Sequence, residues 1–160
     1  VVYLTEGMLR HDPPGQQELE AVRRRVRSVL EEALRGWGCR GAELIGTAGT
    51  PTTLAAMDQG LRDYDPRRVN GYRLSREGLW AWLERLRTMP AARRLEIAGL
   101  ERGREDVILS GICILLELME LADAPQLTVS DGGLLEGALL AGLEEAGVLP
   151  PSTPDGGPAR

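Results

Sequence analysis

The sequence contains no lysine and no phenylalanine, and only one histidine and two cysteines. All 19 basic residues are therefore arginine, which excludes Schiff-base chemistry on a lysine and a phosphate-binding lysine. His11, Cys39 and Cys113 are too few for a Cys/His zinc site. We expect two free, reduced thiols and an exposed His11 in the turn that continues into Asp12.

The sequence also lacks an excess of positive charge. Its net charge of −5 argues against a broad nucleic-acid surface. Glutamates lie four residues from Arg24 and Arg27, so the arginines of this segment are interpreted as a solvated helix face: Arg23, Arg24, Arg25 and Arg27. The longest apolar stretch, 107–122, contains two glutamates and falls short of the ~20 residues of a membrane span. The 160 residues therefore predict a cytoplasmic protein with a buried core and neither nucleic-acid nor membrane partners.

Alternation of strand and helix patterns predicts an α/β architecture with a small sheet of about three strands and several packed helices. The expected strands are 1–4, 42–45 and 126–130. The expected helices are 16–35, one from Pro51, one capped by Ser75, a short one over 90–99, a central apolar helix over 104–122, and a last one from Leu134. Residues 65–72 are predicted to be a loop, and 150–160 a disordered tail. A strand at the first residue lacks a neighbour, which suggests a chain cut from a longer one.

A glycine- and threonine-rich segment joins the second expected strand to a helix: Gly46, Thr47, Ala48, Gly49, Thr50, Thr52 and Thr53. Glycines let the backbone approach a ligand closely, and a helix N-terminus favours an anion. The threonine hydroxyls add donors for phosphate or ribose oxygens. The segment matches neither the Walker A pattern nor G-x-G-x-x-G. A tight turn with a threonine helix cap therefore stays open as the alternative.

A second such loop, Ser130, Asp131 and Gly132, follows the third expected strand. Loops after neighbouring strands meet at one edge of the sheet, so we expect the two loops side by side. Arg104, at the entry to the central helix, could hold a phosphate through two parallel hydrogen bonds. A glycine turn with a helix cap and a salt-bridging cluster around Arg104 are the competing interpretations. No pair of residues suited to acid–base catalysis stands out.

Taken in order, these segments resemble the Ppx/GppA phosphatase family, the exopolyphosphatases and guanosine pentaphosphate phosphohydrolases. The similarity rests on five motifs between residues 1 and 149: Val2-Tyr3-Leu4-Thr5-Glu6 with Asp12-Pro13-Pro14; Gly46–Ala56; Val69-Asn70-Gly71-Tyr72; Arg104-x-Asp106-Val107-Ile108 with Gly111; and Val129-Ser130 with Gly133-Leu134-x-Glu136-Gly137. One departure is Leu135, where the family usually carries arginine. A ligand or lobe contact made by that arginine is therefore not expected here.

The resemblance implies the actin-like ATPase superfold, built from two lobes of ribonuclease-H-like topology. Residues 1–149 correspond to the C-terminal lobe, with the first strands of that lobe lying upstream. The family's catalytic glutamate, its first phosphate loops and most of its metal ligands also lie upstream. The resemblance thus implies a magnesium-dependent phosphoanhydride hydrolase, with no catalytic residue in this chain, no metal held by it alone, and no activity of the isolated chain.

The resemblance also implies ligands and partners. The 46–53 loop and Arg104 would contact inorganic polyphosphate or guanosine penta- or tetraphosphate, and the N-terminal lobe would complete the site. A homodimer of the full-length protein is left open. Two alternatives compete with the hydrolase: a non-catalytic sensor of phosphate or guanosine phosphates, and a segment for lobe docking or dimerisation.

Overall fold

Helices account for about half of the chain, and a small mixed sheet joins them. The computed structural model describes residues 1–150, so most of the tail expected to be disordered lies outside the described residues. In chain order the elements are α1 (Val2–Met8), α2 (Gln16–Ala33), β1 (Ile45–Gly46), α3 (Gly49–Asp58), α4 (Pro66–Val69), β2 (Arg73–Ser75), α5 (Arg76–Leu86), α6 (Ala91–Arg94), α7 (Ile108–Leu121), β3 (Gln126–Val129) and α8 (Leu134–Glu145).

The sheet has β3 at its centre, in the order β1-β3-β2. Strand β1 runs parallel to β3, with Ile45 opposite Thr128. Strand β2 runs antiparallel to β3, with Leu74 opposite Leu127. The α/β class and the three strands are confirmed, but one of the three strands is not the expected one.

The first residues form a helix, so the prediction of a strand over 1–4 is wrong. The backbone N–H groups of Leu4 and Thr5 both bond to the carbonyl of Val1. Leu4 is buried, and the Thr5 hydroxyl donates to Ser110 Oγ at 2.9 Å, which ties this turn to α7. Val2 and Tyr3, whose β-forming character suggested a strand, are exposed. Packing of one helix face therefore outweighs local propensity.

The segment predicted to be a loop over 65–72 contains the short helix α4 and leads directly into β2. The Asp65 side chain caps α4 by accepting from Arg67 N at 3.0 Å, and Pro66 follows at the first helical position. In β2, Leu74 is buried between exposed neighbours. Three residues are too few for an alternation to be recognised, so pairing with β3 decides this strand.

Helix α7 is the centre of the core, as predicted. Ten of its 14 residues are buried, and α2 and α5 pack against it. The predicted cap of α5 is confirmed, since Gly78 N donates to Ser75 Oγ at 2.9 Å. Cys113, on α7, is a free buried thiol whose pKa is raised to about 12 by burial, and Cys39 is free and half-buried. His11 is exposed, as expected.

Two arginines of α2 reach across to α7 and are only partly exposed to solvent. Arg27 Nε donates to Glu117 Oε2 at 2.6 Å, and Arg23 Nε lies 2.6 Å from Glu117 Oε1. Both arginines also pair with Glu120. Glu117 is only 1% exposed. The expected pair between Glu20 and Arg24 is present at 4.0 Å, but the prediction of a fully solvated arginine face is wrong for Arg23 and Arg27.

Helix α8 has no buried residue. Its large apolar side chains are exposed, among them Leu134 at 89% and Leu135 at 82%. Such a face is unusual for a helix of a folded domain, in which an apolar stripe normally packs on the core. Among the described residues, no helix is both long enough and apolar enough to cross a membrane.

Candidate functional site

The two glycine loops lie side by side, as predicted. Strands β1 and β3 are parallel neighbours, so the loops that follow them leave the sheet at the same edge. The Thr47 hydroxyl donates to the carbonyl oxygen of Gly132 at 2.7 Å and so joins the first loop to the second. The Ser130 hydroxyl donates to the same oxygen at 3.1 Å. A direct hydrogen bond thus fixes the spacing of the loops.

The first loop turns into α3 through a strained residue. Ala48, the residue before the helix, has φ +67, a left-handed conformation that is rare outside glycine. No side chain caps this end of α3, so the threonine cap considered above is not formed. Thr52 instead donates backwards to the carbonyl of Ala48 at 3.0 Å. The first-turn N–H groups of α3 are therefore left without the usual side-chain acceptor, which is the arrangement that receives an anion.

Arg104 lies directly on the first turn of α3. A Cβ atom added at Gly49 would stand 2.0 Å from Arg104 Nη1 and 2.2 Å from its Cζ. Only a glycine leaves room for the guanidinium at this distance. Arg104 Nε also donates to Glu101 Oε2 at 3.2 Å, so the salt bridge considered above is present together with the approach to the loop. The arginine side chain is still 37% exposed.

This placement concentrates positive charge. The N-terminus of α3 carries a partial positive charge, and a cation beside it is the reverse of what the helix dipole favours. Glu101 offsets part of the repulsion. Both side chains of this ion pair are exposed, however, so water screens the attraction between them. An anion that contacts both the helix end and the guanidinium would satisfy both. Electrostatics therefore point to an anionic ligand.

The threonines of the first loop are not equivalent. Thr47 is exposed and Thr52 is half-buried at the helix start. Thr50 packs against α7, where a Cβ at Gly111 would come within 2.5 Å of Thr50 Cγ2. Thr53 is 2% exposed, and its hydroxyl is buried without a hydrogen-bond partner. A ligand in solvent therefore cannot reach Thr53, so the predicted contact from this residue is not available. Thr53 lies in the part of α3 that packs into the core.

Two residues outside the predicted set hold the second loop. The Tyr64 hydroxyl donates to Asp131 Oδ1, and Asn70 Oδ1 accepts from Asp131 N at 3.1 Å. Burial and the bond to Asp131 raise the pKa of Tyr64 to about 12. Asn70 lies in a motif quoted above, whereas Tyr64 has no local pattern that marks it.

An open cleft of about 450 Å³ adjoins the second loop. Its lining residues come from the α4 region and from the loop itself: Pro66, Arg67, Asn70, Ser130, Asp131 and Gly132. Arg67 is thus a second cation close to the pair of loops. Within residues 1–150, no three or more His, Cys, Asp or Glu side chains are grouped closely enough to hold a metal ion by themselves.

The similarity to known proteins extends over nearly all of the described residues. The sequence profile of the Ppx/GppA phosphatase family matches residues 1–146. The chain belongs to the Ppx/GppA phosphatase family. It is 39% identical over 145 residues to exopolyphosphatase 2 of Mycobacterium tuberculosis, a match that covers 88% of this chain and 46% of that protein. A bifunctional 3-dehydroquinate synthase/phosphatase of Fusobacterium nucleatum is 30% identical over 105 residues, which are 63% of this chain and 15% of that protein.

Solved structures agree. A Ppx/GppA phosphatase of Aquifex aeolicus superposes with a TM-score of 0.79 at 31% identity, over 88% of this chain and 46% of that one. An exopolyphosphatase from Cytophaga hutchinsonii gives a TM-score of 0.70 at 28% identity, over 84% of this chain and 44% of that one. The fold is therefore that of Ppx/GppA enzymes, the actin-like ATPase fold. The chain spans about half the length of the exopolyphosphatase 2 it matches.

Proposed function

We propose that this chain is the C-terminal lobe of a two-lobed phosphohydrolase that removes the terminal phosphate of inorganic polyphosphate or guanosine pentaphosphate. One observation carries the proposal: the Arg104 guanidinium lies on the uncapped first turn of α3, at a glycine that leaves it room. Kinship with exopolyphosphatases supports the same class of ligand. A cytoplasmic location belongs to the proposal as well.

In this proposal the chain binds and orients phosphate. The first-turn N–H groups of α3 and the Arg104 guanidinium hold phosphoryl oxygens. The Thr47 and Thr52 hydroxyls, which already donate to backbone carbonyls, hold the loop in the shape that presents those donors. Phosphoryl transfer depends mainly on such positioning and on stabilisation of charge. A glutamate of the N-terminal lobe would activate water, and no residue of this chain takes that role.

Magnesium is part of the proposed complete enzyme. The metal neutralises phosphate charge when it is bound, and magnesium commonly uses one or two carboxylates together with substrate phosphates. The described residues offer no cluster of three acidic, His or Cys ligands, so we assign no step through the metal to this chain.

Calorimetric titration of the chain with tripolyphosphate tests phosphate binding. Arg104→Gln is expected to weaken binding about tenfold, because it removes a charge-assisted contact. Arg24→Gln is the matched control, since Arg24 is an exposed arginine on α2 paired only loosely with Glu20, at 4.0 Å. Equal affinity of the two variants, or no binding by the wild-type chain, would contradict the proposal.

Turnover separates the lobe from the complete enzyme. The isolated chain is expected to release no phosphate from polyphosphate or guanosine pentaphosphate, with or without magnesium, because the catalytic glutamate lies elsewhere. Release of phosphate above the level of a Gly49→Val variant would overturn this part of the proposal. Parallel titrations with guanosine pentaphosphate and polyphosphate would then rank the two ligands.

The exposed apolar side chains of helix α8 support a second candidate function, which is docking to another lobe or to a second copy of the chain. Its exposed apolar side chains include Leu134, Leu135, Leu139 and Leu140. Light scattering with size-exclusion chromatography measures self-association directly. If α8 joins two copies, Leu139→Glu with Leu140→Glu converts dimers to monomers. A monomeric wild-type chain would leave the other lobe as the docking partner.

A further inference from the structure

Tyr64 lies beside the second loop of the candidate site. It belongs to the connection from α3 to α4, and the residue is 42% exposed. Its hydroxyl donates to Asp131 Oδ1 in the second loop. A side chain from outside both loops therefore contacts the second loop.

Asp131 presents a difficulty for an anion site. Its exposed carboxylate precedes Gly132, the residue that accepts a hydrogen bond from Thr47. A carboxylate that is free to turn towards the first loop would repel a phosphate held by Arg104 and α3. A hydrogen bond from a neutral donor fixes the direction of the carboxylate and stabilises its charge where it stands.

Tyr64 supplies that donor. The backbone N–H of Asp131 is held separately by Asn70, at 3.1 Å. For the carboxylate itself, the Tyr64 hydroxyl is the hydrogen-bond donor found among residues 1–150. Asn70 thus holds the backbone of the second loop and Tyr64 holds the Asp131 side chain, so the position of the negative charge depends on Tyr64.

We propose that Tyr64 is a positioning residue of the phosphate site, whose hydroxyl restrains the Asp131 carboxylate and with it the second loop. The inference rests on the proposed function only for its effect on phosphate affinity. The restraint on the loop is a property of the chain without ligand.

The loop restraint is tested by hydrogen–deuterium exchange of the peptide that contains residues 130–133. Tyr64→Phe removes one oxygen atom and is expected to speed exchange there several-fold, since a loop freed from a hydrogen bond opens more often. Tyr72→Phe is the matched control, because the Tyr72 hydroxyl donates to Asp58 Oδ2 at 2.7 Å, outside both loops. Unchanged exchange in Tyr64→Phe, or equal acceleration in both variants, would overturn the proposal.

The role of charge is tested by titration with tripolyphosphate. Tyr64→Phe is expected to weaken binding about tenfold, the size of a lost hydrogen bond to a charged group. With Asp131→Asn already introduced, the same tyrosine change is expected to weaken binding by less than about twofold, because no charge remains to be restrained. A merely structural tyrosine would give the same loss with and without Asp131→Asn, and that result would overturn the proposal.

The two readouts keep the proposals apart. A wild-type chain that fails to bind tripolyphosphate contradicts the proposed function. The exchange comparison between Tyr64→Phe and Tyr72→Phe then still decides whether Tyr64 holds the second loop.

Discussion

The Arg104 guanidinium lies so close to Gly49 that a Cβ atom on residue 49 would stand 2.0 Å from Nη1. The glycine is thus required by an arginine that is distant in sequence. The pair joins the entry of the central helix to the first loop, and it brings a cation to the N-terminus of a helix.

Substitution at Gly49 should displace Arg104 without unfolding the chain. The atoms that a new Cβ would meet are the far end of a flexible side chain, so the guanidinium can move away. Gly49→Ala is expected to keep the circular dichroism spectrum and to lose about tenfold in tripolyphosphate affinity, as Arg104→Gln does. Gly137→Ala is the control, because a Cβ there meets nothing within 4 Å. An affinity unchanged by Gly49→Ala would show that the contact does not matter for binding.

The ion pairs that the buried Glu117 makes between α2 and α7 should matter for stability. Glu117→Gln is expected to lower the free energy of unfolding by about 1–2 kcal/mol, because Glu117 is buried whereas its two arginine partners stay partly exposed to water and keep Glu120 as a partner. Glu20→Gln should change it by less than about 0.5 kcal/mol, since its partner Arg24 is exposed. Urea unfolding followed by circular dichroism measures both. Equal losses of unfolding free energy in the two variants would contradict the stabilising role of Glu117.

Alkaline pH should weaken the fold through two tyrosines. The pKa of Tyr64 and of Tyr72 is raised from 10.0 to about 12, mainly by burial and then by the carboxylates that their hydroxyls contact. The folded state therefore holds these protons more tightly than the unfolded state, and the stabilisation is complete below pH 10 and is lost as the pH rises towards 12. Absorbance titration at alkaline pH follows the ionisation. Replacing both tyrosines by phenylalanine should flatten this part of the stability profile.

The two thiols should differ in reactivity. Cys113 is buried and its pKa is raised to about 12, so the reactive thiolate is scarce. Cys39 is half-buried in the segment after α2. A thiol reagent at pH 8 is expected to label one group per native chain and two in denaturant. Native labelling should disappear in Cys39→Ser, and rapid labelling that persists in this variant would contradict the burial of Cys113.

Long periodic patterns predicted most of the helices. The apolar face of α2, the Ser75 cap of α5 and the nearly continuous apolar run of α7 are properties of neighbouring residues, and the structure has all three. Helix α1 and strand β2 depend on distant partners. The Thr5 hydroxyl bonds to a residue 105 positions away, and β2 exists through its pairing with β3. Neither contact can be inferred from the local propensities of the residues that make it.

The same distinction divides the site. The two loops could be predicted because glycines between a strand and a helix indicate a tight turn that a ligand can approach. Arg104 could be predicted because it stands at the start of the expected central helix. The bond from Tyr64 to Asp131 joins residues 67 positions apart and leaves no trace in spacing. The pairing of Arg23 and Arg27 with α7 was missed for the same reason, because charges at helical spacing look alike whether they face water or another helix.

The uncapped start of α3 has a consequence for every measurement of stability. With a cation beside the positive end of a helix, the chain without ligand retains an unfavourable interaction that an anion removes. Ligands that bind only the folded state shift the unfolding equilibrium in proportion to the logarithm of their concentration. The melting temperature of this chain should therefore be a function of the buffer anion, higher in phosphate than in chloride at equal ionic strength. In that sense the composition of the solvent, as well as the sequence, sets how firmly this lobe is folded.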